Sequence, residues 1–348
     1  MTESDTRINQ LRQWLQQADL PVRGDPATLR PASSDASFRR YFRLDRADGQ
    51  PGTLIAMDAP PPQEDCAPFV HAAEVLQQAG VTVPSIFAVD LAQGFLLLSD
   101  LGSETMLQRI ESRPDQADAL YRQACAQLVT LQQASRAGTF AAYDRAMQLR
   151  ELRLFDEWYL QTHLKAELPA PALKSLLALY ETILDNTTNQ PQVYVHRDWH
   201  SRNLMALPAD SAASSSLAVI DFQDAVYGPV TYDLVSLLRD AYIDWPEDQQ
   251  IDWAVRYWEV ARRTNVPVHA DFGDFYRDLE WMGMQRHLKV LGIFARLAWR
   301  DGKQQYLGDM PRVKAYVMAT ARRYREFAPL VQLLQRLDGV AEQSALTF

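Results

Sequence analysis

Hydrophobic positions repeat with a short period in the first hundred residues of the chain and with a longer period after that. Alternating apolar and polar residues predict strands over residues 38–44, 53–57, 85–89 and 94–99. A turn at Asp48-Gly49 joins the first two of these strands. Helical spacing predicts helices over residues 8–17 and 68–78. This part of the chain is therefore expected to form a small antiparallel sheet with helices.

Helical patterns dominate beyond residue 100. They predict helices over residues 115–135, 147–166, 171–187, 231–243, 247–263, 272–300 and 311–336. Short strands are expected over residues 192–195, 204–206 and 217–220, and a flexible hairpin loop over residues 208–216. We therefore expect an α+β fold with a small antiparallel β N-lobe over residues 1–100 and a larger, mainly helical C-lobe over residues 101–338. Residues 339–348 are expected to form a loose tail.

One octet between two of these strands carries the chemistry: His196-Arg197-Asp198-Trp199-His200-Ser201-Arg202-Asn203. The next predicted strand ends just before Asp221-Phe222. In phosphoryl transfer one aspartate accepts the hydroxyl proton, while an asparagine and a second aspartate hold magnesium. The spacing therefore indicates Asp198 as the base and Asn203 with Asp221 as Mg²⁺ ligands. An isolated H-R-D would be weak evidence, but the spacing, the flanking strands and the second aspartate agree.

Residues beside this motif are candidates for supporting roles. His196 is interpreted as structural, because Asp198 already supplies the base. Asp233, at the start of a predicted helix, is interpreted as a helix-terminal acid that can also brace the loop. His200, Arg202 and Asp224 are candidates to bind the acceptor molecule, and a solvated loop surface is the alternative for each.

Composition narrows the class of protein. The 348 residues are 47% hydrophobic and 23% charged, which is typical of a globular chain long enough for two lobes. The net charge of -9 argues against binding to nucleic acid, which requires concentrated lysine and arginine. Cys66 and Cys125 have no metal-binding spacing, no signal peptide is recognisable, and no apolar run could cross a bilayer. We expect a cytoplasmic enzyme with no membrane or obligate protein partner.

The segment after Asp221 departs from the protein-kinase pattern. Gln223 follows Asp221-Phe222 at the position where protein kinases have glycine, and no A-P-E element comes later. Only a short stretch separates Asp221 from the helix predicted at residue 231. Because a regulated activation loop would not fit there, the acceptor is predicted to be a small molecule.

A second departure is that no lysine precedes Lys165. The strand lysine that usually holds the ATP phosphates is therefore missing, and Met57 occupies its matching place. Arg39, Arg40 and Arg43 are the candidates to replace it, since a guanidinium binds phosphate bidentately. Strand alternation places Arg39 and Arg43 on one face and Arg40 on the other. A solvated strand face is the alternative for each arginine.

Other nucleotide contacts are expected from the order of elements along the chain. Glu74 is the expected ion-pair partner of the phosphate-binding arginine, with Glu64 as the second choice. A polar turn would cover the phosphates with N–H groups and hydroxyls, and the link near residue 100 would meet the adenine edge. The residues concerned are Ser34, Asp35, Ser37, Ser99 and Leu101.

The chain resembles the aminoglycoside phosphotransferase family over nearly its whole length. The matching stretches are residues 34–41, 196–203, 220–224 and 232–234. Within that family, residues 57–61 and 155–160 are most similar to bacterial anomeric sugar kinases of cell-wall recycling. The resemblance implies a bilobal protein-kinase-like fold, with ATP and Mg²⁺ as cofactors. It also implies phosphorylation of the anomeric hydroxyl of N-acetylmuramate and N-acetylglucosamine.

The same resemblance implies Asp198 as the base, with Asn203 and Asp221 binding magnesium. It also draws attention to residues 155–160, where Glu157 is a candidate sugar ligand. Aromatic residues can pack on sugar rings, but Phe155, Trp158 and Tyr159 are equally well explained as core residues at helical spacing.

Two other functions compete with the sugar kinase. An aminoglycoside kinase is compatible with the acidic charge, because its substrates are polycations, and choline or homoserine are further possible acceptors. A pseudokinase that binds without catalysis would explain the missing lysine. The intact Asp198, Asn203 and Asp221 argue against the second alternative.

Overall fold

A computed structural model describes residues 3–17, 20–34, 38–61, 63–208 and 215–339. The chain divides into two units, each built from two stretches of sequence. Unit 1 comprises Met1–Ala124 and Arg202–Asp224, and unit 2 comprises Cys125–Ser201 and Ala225–Phe348. The bounds predicted for the two lobes, residues 1–100 and 101–338, differ from the bounds of these units and remain a prediction. Residues 209–214 of the predicted loop and 340–348 of the predicted tail lie outside the described residues.

Unit 1 contains a five-stranded antiparallel sheet in the order β1-β2-β3-β5-β4. Its strands are β1 (Arg30–Ser34), β2 (Arg40–Asp45), β3 (Thr53–Asp58), β4 (Ile86–Asp90) and β5 (Phe95–Ser99). The helices α1 (Glu3–Leu15), α2 (Ala67–Gln78) and α3 (Met106–Ser112) accompany it. The predicted antiparallel sheet is confirmed. Strand β1 and helix α3 were not predicted.

Helix α1 covers one face of this sheet. The buried cluster between them consists of Leu11, Trp14, Leu15, Phe42, Leu44, Leu54, Ala56, Phe95 and Leu97. Residues paired across antiparallel strands point to the same face, and Tyr41 pairs with Met57. Tyr41 and Met57 therefore lie on the opposite face from the α1 cluster. Met57 is fully buried there.

Unit 2 is mainly helical. Its helices include α5 (Arg145–Leu154), α6 (Ala170–Thr187), α7 (Tyr232–Leu238), α8 (Glu247–Arg263), α9 (Phe272–Trp299), α10 (Met310–Ala321) and α11 (Ala328–Leu337). Helix α4 (Ala117–Gln133) precedes them in the chain. Helix α9 is buried along most of its length and packs against α5, α6, α7 and α10. The main apolar core of unit 2 forms around it.

Short strands flank the octet. In unit 2, β6 (Gln192–Val195) pairs antiparallel with β9 (Val226–Pro229). In unit 1, β7 (Leu204–Ala206) pairs with β8 (Leu217–Val219). The predicted strands before and after the octet are confirmed, whereas β9 was not predicted. Among the described residues, no helix is long and apolar enough to span a membrane.

Several predicted helices differ in extent from the observed ones. The helix expected over residues 231–243 ends at Leu238 as α7, and two others are interrupted or change type. The helix expected over residues 311–336 is interrupted between α10 and α11, where Pro329 lies in the first turn of α11. Proline lacks an N–H group and is tolerated only in a first turn, so one continuous helix cannot form. The helix expected over residues 147–166 continues from α5 as a π-helix, Phe155–His163, whose wider hydrogen-bond pattern has no simple sequence signal.

Gly94 allows a test of the turn between β4 and β5. Its φ is +71°, and an added Cβ would lie 1.9 Å from the Ala59 carbonyl oxygen. Gly49 has a similar φ of +78° but no atom within 4 Å of that position. We expect Gly49→Ala to lower the free energy of unfolding by about 1 kcal/mol through backbone strain alone. Gly94→Ala should lower it by more than about 3 kcal/mol, because a backbone atom must move as well. Equal losses in urea unfolding would contradict the close approach.

Candidate active site

The octet begins on a loop whose backbone is held by a buried carboxylate. Asp233, at the start of α7, accepts hydrogen bonds from the backbone N–H groups of His196 at 2.6 Å and Arg197 at 2.9 Å. Arg197 has a φ of +77°, a left-handed conformation that a non-glycine residue needs strong contacts to keep. Burial raises the pKa of Asp233 to about 7, although the two N–H groups act against this shift. The predicted bracing role for Asp233 agrees with these contacts.

A second buried carboxylate holds the other end of the loop. Asp240, two residues after the end of α7, accepts from the Ser201 backbone N–H at 2.9 Å and from the Ser201 hydroxyl at 2.5 Å. The Asp240 side chain is fully buried. The backbone from His196 to Ser201 is therefore fixed at both ends by acids on or next to a single helix.

Asp198 lies on this loop and is half-buried. Burial is the largest influence on its pKa and would raise it, but the positive charges of Lys289, His200, Arg286 and Arg197 together outweigh burial. The pKa of Asp198 is consequently lowered to about 2. At neutral pH the side chain is a carboxylate that can accept a hydrogen bond from an acceptor hydroxyl.

His196 is buried, and its Nδ1 accepts the backbone N–H of Asp198 at 3.2 Å. Its ring meets the Trp199 ring edge-on, with 5.7 Å between the ring centres. Both contacts orient the loop, so they favour the predicted structural role.

Sequence reasoning missed four polar residues near Asp198. Glu151 lies on α5, Lys289 and Arg286 lie on α9, and Asp240 follows α7. All four are buried. Lys289 and Arg286 act on the charge of Asp198, and Glu151 binds both Lys289 and Arg197. The available signal was the presence of charged residues inside the long apolar pattern of α9, since buried charges are rarely retained without a role.

Asn203 and Asp221 lie together in unit 1. The β7–β8 hairpin places them, because the Ile220 backbone N–H donates to the Asn203 carbonyl at 3.0 Å. The two side chains approach to 3.3 Å, from Asn203 Nδ2 to Asp221 Oδ2. Asp221 has a φ of +64°, and Gln223 donates to its Oδ1 at 2.9 Å. One amide and one carboxylate fit Mg²⁺, which takes hard oxygen ligands and completes its shell with water and phosphate.

Of the three candidate arginines, Arg39 lies beside this pair. Its Nη2 is 3.7 Å from Asp221 Oδ1, and its Nε is 3.9 Å from Glu64 Oε2. The arginine side chain is 9% exposed. Besides Asp221, the acidic neighbour of Arg39 is Glu64, the second choice from the sequence, and the expectation that Glu74 would be the partner is wrong. Glu74 is exposed on α2.

Arg40 and Arg43 are engaged elsewhere in unit 1. Arg40 binds the fully buried Asp58, which also binds Arg7 of α1. Arg43 donates to Asp100 at 2.5 Å and to the Gly102 carbonyl at 2.9 Å. Asp58 therefore links Arg40 of β2 to Arg7 of α1, and Arg43 links the sheet to the segment after β5. Neither arginine has the solvated strand face that was the alternative interpretation.

The structure places three of the five other residues that were predicted to contact the nucleotide. Ser34 ends β1, whereas Asp35 and Ser37 lie outside the described residues. The Ser99 hydroxyl accepts the Ser85 backbone N–H at 2.8 Å. Leu101 packs against a small apolar cluster that contains Met205.

The predicted acceptor-binding residues are spread over both units. His200, in unit 2, is buried and meets the Tyr242 ring edge-on at 5.3 Å. Arg202 and Asp224, in unit 1, are exposed. Glu157 is exposed on the π-helix, 3.9 Å from Arg153. Its neighbours Phe155 and Tyr159 belong to the apolar core, as the core interpretation predicted, whereas Trp158 is only partly buried and packs against that core.

Known structures share this fold. A choline/ethanolamine kinase family protein from Mesorhizobium loti superposes with a TM-score of 0.60 at 16% identity, covering 94% of this chain and 99% of that protein. An α+β, bilobal protein-kinase-like fold with an antiparallel β N-lobe and a larger helical C-lobe is thereby established.

Sequence relatives define the family. The model of the phosphotransferase enzyme family matches residues 28–272. The N-acetylmuramate/N-acetylglucosamine kinase of Pseudomonas aeruginosa is 46% identical, over 97% of this chain and 99% of that protein. The protein of the same name from Neisseria meningitidis serogroup B is 44% identical, over 97% and 98% respectively. The chain belongs to the phosphotransferase enzyme family.

The lowered pKa of Asp198 predicts a specific dependence of stability on pH. A carboxylate whose pKa falls from 3.8 to about 2 on folding stabilises the protein above pH 4, and this contribution is lost as the pH falls towards 2. The loss is worth about 2 kcal/mol. We therefore expect Asp198→Asn to lose less stability than the wild type between pH 5 and pH 2, measured by urea unfolding. Asp248→Asn, on the exposed start of α8, is the control and should follow the wild type. Parallel curves for Asp198→Asn and wild type would contradict the assignment.

Proposed function

We propose that this protein is an ATP-dependent sugar kinase that phosphorylates the anomeric hydroxyl of N-acetylmuramate and N-acetylglucosamine, giving the 1-phosphates used in peptidoglycan recycling. The observation that carries the reaction class is the ionised Asp198 on a loop held at both ends by buried carboxylates. The acceptor is inferred from relatives of this name that match nearly the whole chain. Because ATP is the donor, we expect the enzyme to act in the cytoplasm.

Asp198 is proposed to orient the acceptor hydroxyl and to take its proton. A carboxylate with a pKa of about 2 is too weak a base to remove that proton in advance. The proton moves late, when the oxygen has begun to bond to phosphorus and has become acidic. In a loose transition state of this kind, positioning and charge neutralisation contribute more than early proton abstraction.

Asn203 and Asp221 are proposed to hold Mg²⁺, which when bound neutralises charge on the ATP phosphates. Their 3.3 Å approach supports this assignment. Arg39 is proposed to replace the missing lysine, because it is the arginine that lies at Asp221 while Arg40 and Arg43 bind other carboxylates. Ser34, Asp35 and Ser37 remain the proposed cover of the phosphates, with Ser99 and Leu101 at the adenine.

His200, Arg202, Asp224 and Glu157 remain the proposed sugar contacts. His200 is the best supported of the four, because it is buried on the same loop as Asp198. Its electrostatic influence lowers the pKa of that carboxylate. The likeness to the choline/ethanolamine kinase family protein concerns the fold alone at 16% identity. It does not favour choline as the acceptor.

The proposed reaction is tested by incubating the protein with MgATP and a panel of acceptors. The panel contains N-acetylmuramate, N-acetylglucosamine, an aminoglycoside and choline, and phosphorus NMR identifies the product. We expect a sugar 1-phosphate from the two amino sugars. Asp198→Asn should lower turnover by roughly 10²–10⁴-fold while ATP binding is kept. Turnover with the aminoglycoside but not with the amino sugars would overturn the proposed acceptor, and full activity of Asp198→Asn would exclude its role as the base.

The role of Arg39 is tested with matched glutamine variants of the neighbouring arginines. Losing a charge-assisted contact to phosphate should weaken MgATP binding by roughly 10–100-fold in Arg39→Gln, measured by titration calorimetry. Arg40→Gln should keep its ATP affinity and instead lower the free energy of unfolding, because it leaves Asp58 with one partner fewer. Equal ATP affinity in Arg39→Gln and wild type would contradict the assignment.

A further inference from the structure

The side chain of Arg197, in the octet, is bound by a buried acid from another element. Glu151, on α5, binds the Arg197 guanidinium through Oε1. The two side chains are 15% and 10% exposed. The arginine therefore has a fixed counter-charge inside unit 2.

Glu151 is itself held by further partners. Lys289 of α9 lies 3.1 Å from the same Oε1, and its Nζ also donates to the Tyr232 hydroxyl at 2.9 Å. The other carboxylate oxygen, Oε2, accepts from the Tyr143 hydroxyl, and Gln285 lies 3.5 Å from it. Both carboxylate oxygens are thus engaged, so the position of Glu151 is determined before any ligand binds.

The backbone at Arg197 gives a reason for this arrangement. Its φ of +77° is strained for a non-glycine residue and is kept only where the surroundings enforce it. Asp233 holds the N–H of this residue, and Glu151 holds its side chain. Asp198 is the next residue, so the direction of its side chain follows from the conformation of Arg197.

Stability alone does not account for the cluster. A buried ion pair is often no more stabilising than apolar residues of similar volume, because both charges must leave water. A buried pair is better explained when it selects one conformation. Two cations share one carboxylate here, so the cluster also leaves one net positive charge close to Asp198.

Kinases with an H-R-D motif commonly obtain this counter-charge from phosphorylation of an activation loop, which orders the loop through arginine–phosphate contacts. In this chain residues 222–231 join Asp221 directly to the start of α7. Glu151 provides a carboxylate where such a phosphate would act.

We propose that Glu151, held by Lys289, is a positioning residue: its carboxylate is the permanent counter-charge of Arg197 and keeps the loop that carries Asp198 in its working conformation without covalent modification. This inference rests on the proposed phosphotransfer function. It assigns no contact with substrate to Glu151, Lys289 or Arg197.

The test is steady-state kinetics of Glu151→Gln against a matched control. We expect kcat to fall by roughly 10²-fold, as for a misplaced reacting group, while KM for ATP and for the sugar stays within about twofold of wild type. Glu151→Asp keeps the charge and should recover part of kcat. The control is Glu181→Gln, which removes the same group from an exposed pair with Arg145 at 2.5 Å and should leave kcat unchanged. Phosphatase treatment of the wild type should not alter its turnover.

A double variant separates positioning from charge. Glu151→Gln/Lys289→Met removes one negative and one positive charge, so the net charge near Asp198 is that of the wild type. It also avoids leaving Lys289 buried without its acid, which protects the measurement if the single variant unfolds. The proposal expects kcat of the double variant to stay low, because Arg197 has lost its partner. Recovery to the wild-type kcat would show that charge alone matters and would overturn it.

Other outcomes are equally decisive. Wild-type kcat in Glu151→Gln, or a loss of kcat that only parallels a lower unfolding temperature and weaker ATP binding, would reject the positioning role. A wild type that turns over no amino sugar would instead reject the proposed function, which is a separate result.

Discussion

The candidate active site depends on how an irregular loop satisfies its backbone hydrogen bonds in a buried environment. The loop between β6 and β7 is neither helix nor strand, so its N–H groups need other acceptors. Asp233 and Asp240, on or next to α7, accept hydrogen bonds from three of these N–H groups. Asp240 also accepts a hydrogen bond from the buried Ser201 hydroxyl. Helix α7 is buried along its whole length and packs on α9. The helical core therefore determines where the Asp198 carboxylate lies.

The part of this site that is local in sequence could be predicted from sequence. Asp198 follows β6 on its loop in unit 2, and within unit 1 the β7–β8 hairpin brings Asp221 to Asn203. Asp233 could also be predicted from sequence, since it lies in the first turn of the helix that comes shortly after Asp221. The roles of these residues remain proposals, whereas their placement follows from short-range connections.

The part that depends on distant helices could not be predicted in the same way. Glu151 and Lys289 come from α5 and α9, and only tertiary packing brings them to Arg197. Their side chains lie inside long helical patterns, where a single charged residue does not change the predicted element. The π-helix after α5 was also predicted as ordinary helix, because its wider hydrogen-bond pattern has no simple sequence signal. Helical periodicity identifies a buried face, but it does not identify which buried polar residues meet.

For the arginines in and next to β2, strand alternation predicted the face of the sheet but not the ion-pair partner. Alternation placed Arg40 on the face of Phe42 and Leu44, which the α1 cluster confirms, but it did not predict Asp58 as its partner. The pairing of Tyr41 with Met57 places the fully buried methionine on the other face.

Because the buried Met57 carries no charge, a cation on the sheet face that contains Tyr41 and Met57 must come from another residue. Arg39 precedes β2 by one residue and has the same parity as Tyr41, so alternation directs it to the face of Met57. The long guanidinium side chain then reaches Asp221, next to Asn203. Arg39, just before the adjacent strand, is therefore proposed to supply the positive charge that a lysine on β3 would otherwise supply. Met57 can then remain buried in the apolar interior, because Arg39 carries the charge and Met57 fills the core.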